Sequence, residues 1–206
     1  MSLETDSDVS RVFAVVLAAG EATRFGSAKQ LATVDGEALV KRAARLAREL
    51  CGRRSMLVTG FESAAVARAA DGLCEFMAVN ERYSDGMGTS LALASRCLRD
   101  SASAMLLILA DQPRIDATHL ASLLATWSGD PNEIVATAYD GIVGAPAVLP
   151  RGTFAALEAL DGDRGARAVF DDPAFTVRSI PNVDAAIDVD TPEDLERLAR
   201  MNQAAE

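Results

Sequence analysis

The sequence predicts an α/β fold three layers deep, a mostly parallel sheet covered by helices on both faces. Two observations predict it. Short apolar runs alternate along the chain with segments of helical period, as repeated strand–helix–strand units require. The strongest runs, Val12 to Leu17 and Met105 to Leu109, are apolar at every position, as strands buried on both faces must be.

The elements follow in order. Arg11 to Ala18 reads as the first buried strand and leads directly into a glycine-bearing loop. Leu39, Ala43, Leu46, Ala47 and Leu50 fall at helical spacing and mark a helix over Ala38 to Leu50, with the Arg-rich face between Lys41 and Arg54 turned to solvent. Ser55 to Thr59 is a second strand, Ser63 to Ala70 a helix and Glu75 to Val79 a third strand. Ser90 to Leu98 reads as helix and Ala104 to Ala110 as the most apolar strand. Asp116 or Thr118 is placed to cap a helix reaching Trp127, a packing residue. His119, in that helix, has no partner pattern and reads as structural or exposed. Further strands are expected over Glu133 to Thr137 and Ala145 to Leu149, and short helices over Thr153 to Leu160 and Gly165 to Phe170. Ala186 to Val189 reads as strand, and Thr191-Pro192-Glu193-Asp194 opens a last helix with Pro at its first position and acids in its first turn. Ligands of such sheets sit beyond the carboxyl ends of the strands. Function is therefore expected in the loops after Ala18, Val79, Ala110 and Val189.

Composition narrows the classes. At 206 residues, half of them hydrophobic, the expectation is one domain over residues 11 to 201. Residues 1 to 10 are expected to be a disordered or expression-derived N-terminus, and residues 202 to 206 a tail. The longest unbroken apolar run, Val12 to Ala19, is well short of the roughly 20 residues of a membrane span. Met1 to Ser10 is polar and acidic, unlike a signal or transit peptide. Cys51, Cys74 and Cys97 are widely spaced and odd in number, which fits reduced thiols and a cytoplasmic location. A net charge of −10 argues against a nucleic-acid partner, though local cations and backbone N–H groups can still hold a small anion.

Four loops carry chemistry. In Leu17-Ala18-Ala19-Gly20-Glu21-Ala22-Thr23-Arg24-Phe25-Gly26-Ser27-Ala28-Lys29, Gly20 and Gly26 permit sharp turns and close approach of the backbone. Free N–H groups there form an anion-binding concavity, and Arg24 and Lys29 add a planar fork and a mobile point charge. It is neither a Walker A loop nor G-x-G-x-x-G. After the most apolar strand, Pro113 forces the chain out of the sheet and leaves Asp111 at the carboxyl edge, where it either caps a turn or holds Mg²⁺. Asp188 and Asp190 alternate near the end of the chain, and Asp190 is either a helix N-cap or a second metal ligand. In Asn80 to Leu91, Gly86 and Gly88 again suggest close approach, with Ser90 or Thr89 at a helix start.

These motifs resemble a known family. L-A-A-G-x-x-x-R-x-G-x-x-K over Leu17 to Lys29 is similar to the signature of the nucleotidyltransferase superfamily that activates sugars, isoprenoid precursors and molybdopterin. Leu-Ala-Asp-Gln-Pro at Leu109 to Pro113 resembles the metal-binding loop of its molybdopterin branch. Asn80 with Gly-Met-Gly-Thr-Ser-Leu resembles that branch's base- and ribose-contacting loop, and Asp188-Val-Asp190-Thr-Pro-Glu-Asp-Leu its second acidic segment. Gly144-Ala145-Pro146 and Gly162-Asp163-Arg164-Gly165-Ala166-Arg167 resemble its acceptor-facing segments, except that Ala145 stands where the family often has His. The matches keep the family's order from Val12 to Leu198.

The resemblance implies a Rossmann-like, glycosyltransferase-A-like fold and a Mg²⁺-dependent nucleotidyltransferase. It implies catalytic roles for Arg24, Lys29 and Asp111, and Mg²⁺ on Asp111 and Asp190. Nucleotide contacts would come from Leu17, Ala18, Ala19, Gly20, Gly26, Asn80, Gly86, Gly88 and Ser90, and acceptor contacts from Asp188, Gly144, Gly162, Asp163 and Arg167. Leu-Ala-Ala-Gly resembles the cytidylyl-transferring members more than the Leu-Ala-Gly-Gly of guanylyl-transferring ones. The implied reaction is transfer of CMP from CTP to the molybdopterin-bound molybdenum cofactor, with release of pyrophosphate and a molybdoenzyme as the client. GTP in place of CTP, another phosphorylated acceptor, and a non-catalytic accessory role are the alternatives.

Overall fold

The structure is a computed structural model that describes residues 11–21, 25–162 and 164–203. Expectations for residues 1–10, Arg24, Asp163 and 204–206 lie outside the described residues. The strands are β1 (Val12–Ala18), β2 (Thr33–Val34), β3 (Glu37–Ala38), β4 (Ser55–Thr59), β5 (Phe76–Val79), β6 (Ala104–Leu109), β7 (Glu133–Tyr139), β8 (Ile142–Pro150) and β9 (Thr176–Pro181). The helices are α1 (Leu39–Cys51), α2 (Ser63–Ala69), α3 (Met87–Leu98), α4 (Ala117–Thr126), α5 (Phe154–Glu158), α6 (Arg167–Phe170) and α7 (Pro192–Gln203).

Seven strands form one sheet in the order β5-β4-β1-β6-β8-β7-β9, and β2 and β3 pair separately. Only β8 runs antiparallel to its neighbours, β6 and β7. The sheet is thus mostly parallel, as predicted. Alternate residues of β1 serve opposite faces. Val12, Ala14, Val16 and Ala18 join a cluster with side chains of α1, α2 and α4, whereas Phe13, Val15 and Leu17 join one with α3, α5 and α6. Leu106 and Leu107 of β6 are fully buried on opposite faces, each burial stabilising by about 1.5–3 kcal/mol. Among the described residues, no helix is long and apolar enough to cross a membrane.

The chain moves from β1 outward through β4 to β5, then returns to place β6 on the other side of β1. The covering helices change face at this reversal, α1 and α2 on one side and α3 on the other. A reversal of this kind opens a crevice beyond the carboxyl ends of the central strands. Gly20 and Asp111 both stand there, just past β1 and β6.

Two expectations are corrected, and two elements were not predicted. Ala186 to Val189 is not a strand: a 3-10 turn covers Val183–Ala186, and residues 187–190 have no regular structure. Its apolar residues mimic a strand for another reason. Val189 is fully buried in a small cluster with Leu39 and Leu198, and its N–H donates to the Asp111 carbonyl at 2.9 Å. The helix expected from Ser90 begins at Met87, because Gly86, at φ 115°, makes the turn that admits it. The strand β9 went unread because Thr-Val-Arg-Ser-Ile-Pro is half polar, as an edge strand is. The β2–β3 hairpin also went unread, although Asp35 and Gly36, at φ 52° and 79°, are the turn pair its type requires.

Candidate active site

A cavity of about 490 Å³ opens at this crevice. Its floor is Leu17, Ala18, Ala19 and Gly20 from the end of β1, and Leu109, Ala110 and Asp111 from the end of β6. Segment 83–90 contributes Tyr83, Ser84, Gly86, Met87 and Ser90, and Lys29, Gln30, Leu39, Glu21 and Asp190 complete the wall.

Lys29 pairs with two of the cavity's acids. Its Nζ donates to Asp111 Oδ2 and to Asp190 Oδ1, each at 2.7 Å. A 3-10 turn over Lys29–Leu31 presents the ammonium, and the next side chain anchors that turn. Gln30 is buried and its Nε2 donates to the Gly20 carbonyl at 2.7 Å, tying the turn to the glycine loop. Burial pulls the Lys29 pKa down, but Asp111 and then Asp190 outweigh it and hold the ammonium above the ordinary lysine value. Asp188, next to this group, is pushed up to about 6 by burial and by repulsion from Asp111 and Asp190, against a hydrogen bond from Gln112 and the attraction of Lys29.

The helix-capping role considered for Asp190 falls instead to its neighbour. Thr191 caps α7: Asp194 N donates to Thr191 Oγ1 at 3.3 Å, and Asp194 Oδ2 accepts from Thr191 N and from Asp190 N at 2.9 and 3.1 Å. This reciprocal box leaves the Asp190 carboxylate turned to Lys29. Asp111 likewise directs its carboxylate at Lys29. The two oxygens converging on one cation could serve as ligands to a hard divalent ion, with phosphate oxygens and waters in its remaining positions. Among the described residues no group of three metal-ligating side chains occurs.

A family model described as the MobA-like NTP transferase domain matches residues 14–178. The chain belongs to the MobA-like NTP transferase family. No curated protein matches it. Among solved structures, the Rv0371c homolog from mycobacterium sp. strain JC1 is 31% identical, with a TM-score of 0.79 over 96% of this chain and 99% of that one. Rv0371c of Mycobacterium tuberculosis H37Rv, solved in complex with manganese, is 26% identical with a TM-score of 0.75 over 92% and 98%. Molybdopterin-guanine dinucleotide biosynthesis protein A from Archaeoglobus fulgidus shares the fold at 16% identity, with a TM-score of 0.70 over 93% and 98%.

In this MobA-like domain, Leu17, Ala18, Ala19, Gly20, Lys29, Gly86, Ser90, Asp111 and Asp190 meet at one cavity. The other described candidates stand off its wall. Asn80 is buried and its amide is committed: Nδ2 donates to Thr89 Oγ1 and Ser90 Oγ at 2.8 and 2.9 Å, and Oδ1 accepts from Arg82 N at 3.0 Å. Gly88 packs against the segment expected to face the acceptor, its N–H donating to the Gly162 carbonyl at 3.0 Å. A Cβ at Gly88 would come within 2.7 Å of Arg164 O and 2.9 Å of Gly162 O. Gly26, at φ 76°, shapes the loop, and Gly144 leaves room for the Tyr139 hydroxyl. Arg167 is exposed and 4.0 Å from Asp171. Gly162 forms a turn at φ 67°.

Among the lining residues that sequence reasoning missed are Gln30, Tyr83, Ser84 and Met87. Gln30 adjoins Lys29, and the other three sit inside the Asn80 to Leu91 segment already singled out. Position within those motifs was the available signal.

Proposed function

We propose that this MobA-like transferase moves CMP from CTP onto the terminal phosphate of a molybdopterin-type acceptor and releases pyrophosphate. One observation carries the reading: Lys29 held between Asp111 and Asp190 over a floor of Ala18, Ala19 and Gly20. The described lining bears three acids, Glu21, Asp111 and Asp190, against one base, Lys29. A divalent cation bound there would offset the repulsion between these carboxylates and a triphosphate. Asp111 and Asp190 would hold Mg²⁺ or Mn²⁺, and the ion would neutralise phosphate oxygens.

The protein's own part is positioning. Backbone N–H groups of the loop from Ala19 onward would receive phosphate oxygens. An acceptor phosphate oxygen, anionic near neutral pH, attacks the α-phosphorus in line and needs no general base. The bond from α-phosphorus to the bridging oxygen breaks as the new P–O bond forms, and the electron pair leaves with pyrophosphate. Lys29 would stabilise that growing charge, with Arg24 assigned to the same task by the family signature. Ala19, buried and on the floor, favours CTP over GTP because its methyl narrows the space for a larger base.

The test is pyrophosphate release from CTP and GTP with Mg²⁺, using purified molybdopterin cofactor and, separately, methylerythritol phosphate and a sugar phosphate. Turnover of CTP on molybdopterin alone is expected. Preference for GTP would overturn the role of Ala19, turnover on another acceptor would overturn the acceptor, and nucleotide binding without any turnover would overturn catalysis.

A further inference from the structure

We propose that Tyr83 is the surface on which the nucleobase stacks, an inference that rests on the nucleotide reading above. The cavity is polarised. Its charged side chains, Glu21, Lys29, Asp111 and Asp190, come from the segments after β1 and β6 and before α7. The wall from residues 83–90 presents Tyr83, Ser84, Gly86, Met87 and Ser90 and no charge at all. A nucleoside triphosphate has the same polarity, so phosphates and metal belong at the first wall and the base at the second.

Tyr83 is the single aromatic residue among the described lining residues. It is also braced. Its ring meets that of Phe61 at a centroid distance of 6.1 Å and an angle of 58°. The preceding residue, Gly60, has no room for a side chain: a Cβ there would lie 2.6 Å from Tyr83 Cβ and 2.7 Å from Ala19 O. Phe61 N donates to that same Ala19 carbonyl at 3.0 Å. Gly60 and Phe61 therefore clamp Tyr83 against the loop whose Ala18, Ala19 and Gly20 floor the cavity. A ring fixed before the ligand arrives loses little freedom on binding, so its contact area converts efficiently into affinity. Every base has a π-face, so such a platform adds affinity without choosing among bases.

Calorimetric titrations of wild type, Tyr83→Phe and Tyr83→Leu test this, each with CTP and with inorganic tripolyphosphate in the presence of Mg²⁺. Tyr83→Leu should bind CTP roughly tenfold more weakly, the loss of about one stacked base. Tyr83→Phe should stay close to wild type, and tripolyphosphate should bind all three proteins alike. CTP affinity unchanged in Tyr83→Leu would overturn the proposal. So would a parallel loss of tripolyphosphate, which would make Tyr83 a loop-shaping residue only. Wild type binding neither probe would overturn the nucleotide reading itself, whereas wild type binding CTP no tighter than tripolyphosphate would overturn the platform alone.

Discussion

At the residue scale, one ammonium organises the site. Lys29 neutralises two carboxylates that would otherwise repel each other, and in the proposed reaction it also stabilises the leaving group. Lys29→Met should lower the rate of pyrophosphate release by a factor on the order of 10² while the circular-dichroism spectrum stays native. Turnover at the wild-type rate would remove Lys29 from the chemistry. His119 shows how a residue that sequence leaves undecided is settled by packing. It is buried, and its Nε2 lies 2.8 Å from Thr137 Oγ1, whose own proton goes to the Pro146 carbonyl at 2.7 Å. The imidazole Nε2–H must therefore be the donor. Burial lowers its pKa below the ordinary 6.5, only partly opposed by Asp116. Between the lowered folded value and 6.5 the unfolded chain binds more protons, so this contribution is complete above 6.5 and is lost as pH falls through the folded value. Thermal melts from pH 8 to pH 5 should fall more steeply for wild type than for His119→Gln, and parallel curves would contradict the assignment.

At the element scale, the site depends on where helices begin. Gly86 lets α3 start at Met87, so Gly88 falls in its first turn and meets the backbone of Gly162 and Arg164. Arg82 pairs with Asp161 at 2.8 Å and joins the same two segments from outside. The proposed nucleotide-side and acceptor-side loops are thus one packed unit. Gly88→Ala should destabilise the fold by about 1–3 kcal/mol through overpacking, read from denaturant unfolding, and should raise the KM for acceptor more than for nucleotide. No change in either would show that residues 160–165 yield freely. This linkage was not legible in the sequence, where a Gly-Met-Gly run points equally to a ligand and to a flexible helix entry. The acidic segment was legible in part. Its motif located Asp190, while the apolar Ile187 and Val189 disguised an irregular, buried segment as a strand.

At the scale of the whole molecule, alternation and all-apolar runs disclosed the sheet because burial on two faces leaves no other pattern for β1 and β6. β9 and the β2–β3 hairpin escaped because edges and short hairpins bury too little to impose one. The crevice is a product of topology: β1 and β6 are far apart in sequence and adjacent in the sheet, and their exits bring Gly20 and Asp111 together. Asp190 and Lys29 then meet Asp111 from opposite ends of the chain. Residues that converge from such distances are visible in a sequence only as separate motifs. Asp111 and Asp190 are proposed to hold a divalent ion together with the nucleotide. Titration of Mn²⁺ followed by electron paramagnetic resonance, with and without CTP, tests it on wild type, Asp111→Asn and Asp190→Asn. Wild type should bind Mn²⁺ far more tightly when CTP is present, and both variants should lose that gain. Equal Mn²⁺ binding by wild type and Asp111→Asn in the presence of CTP would contradict the account.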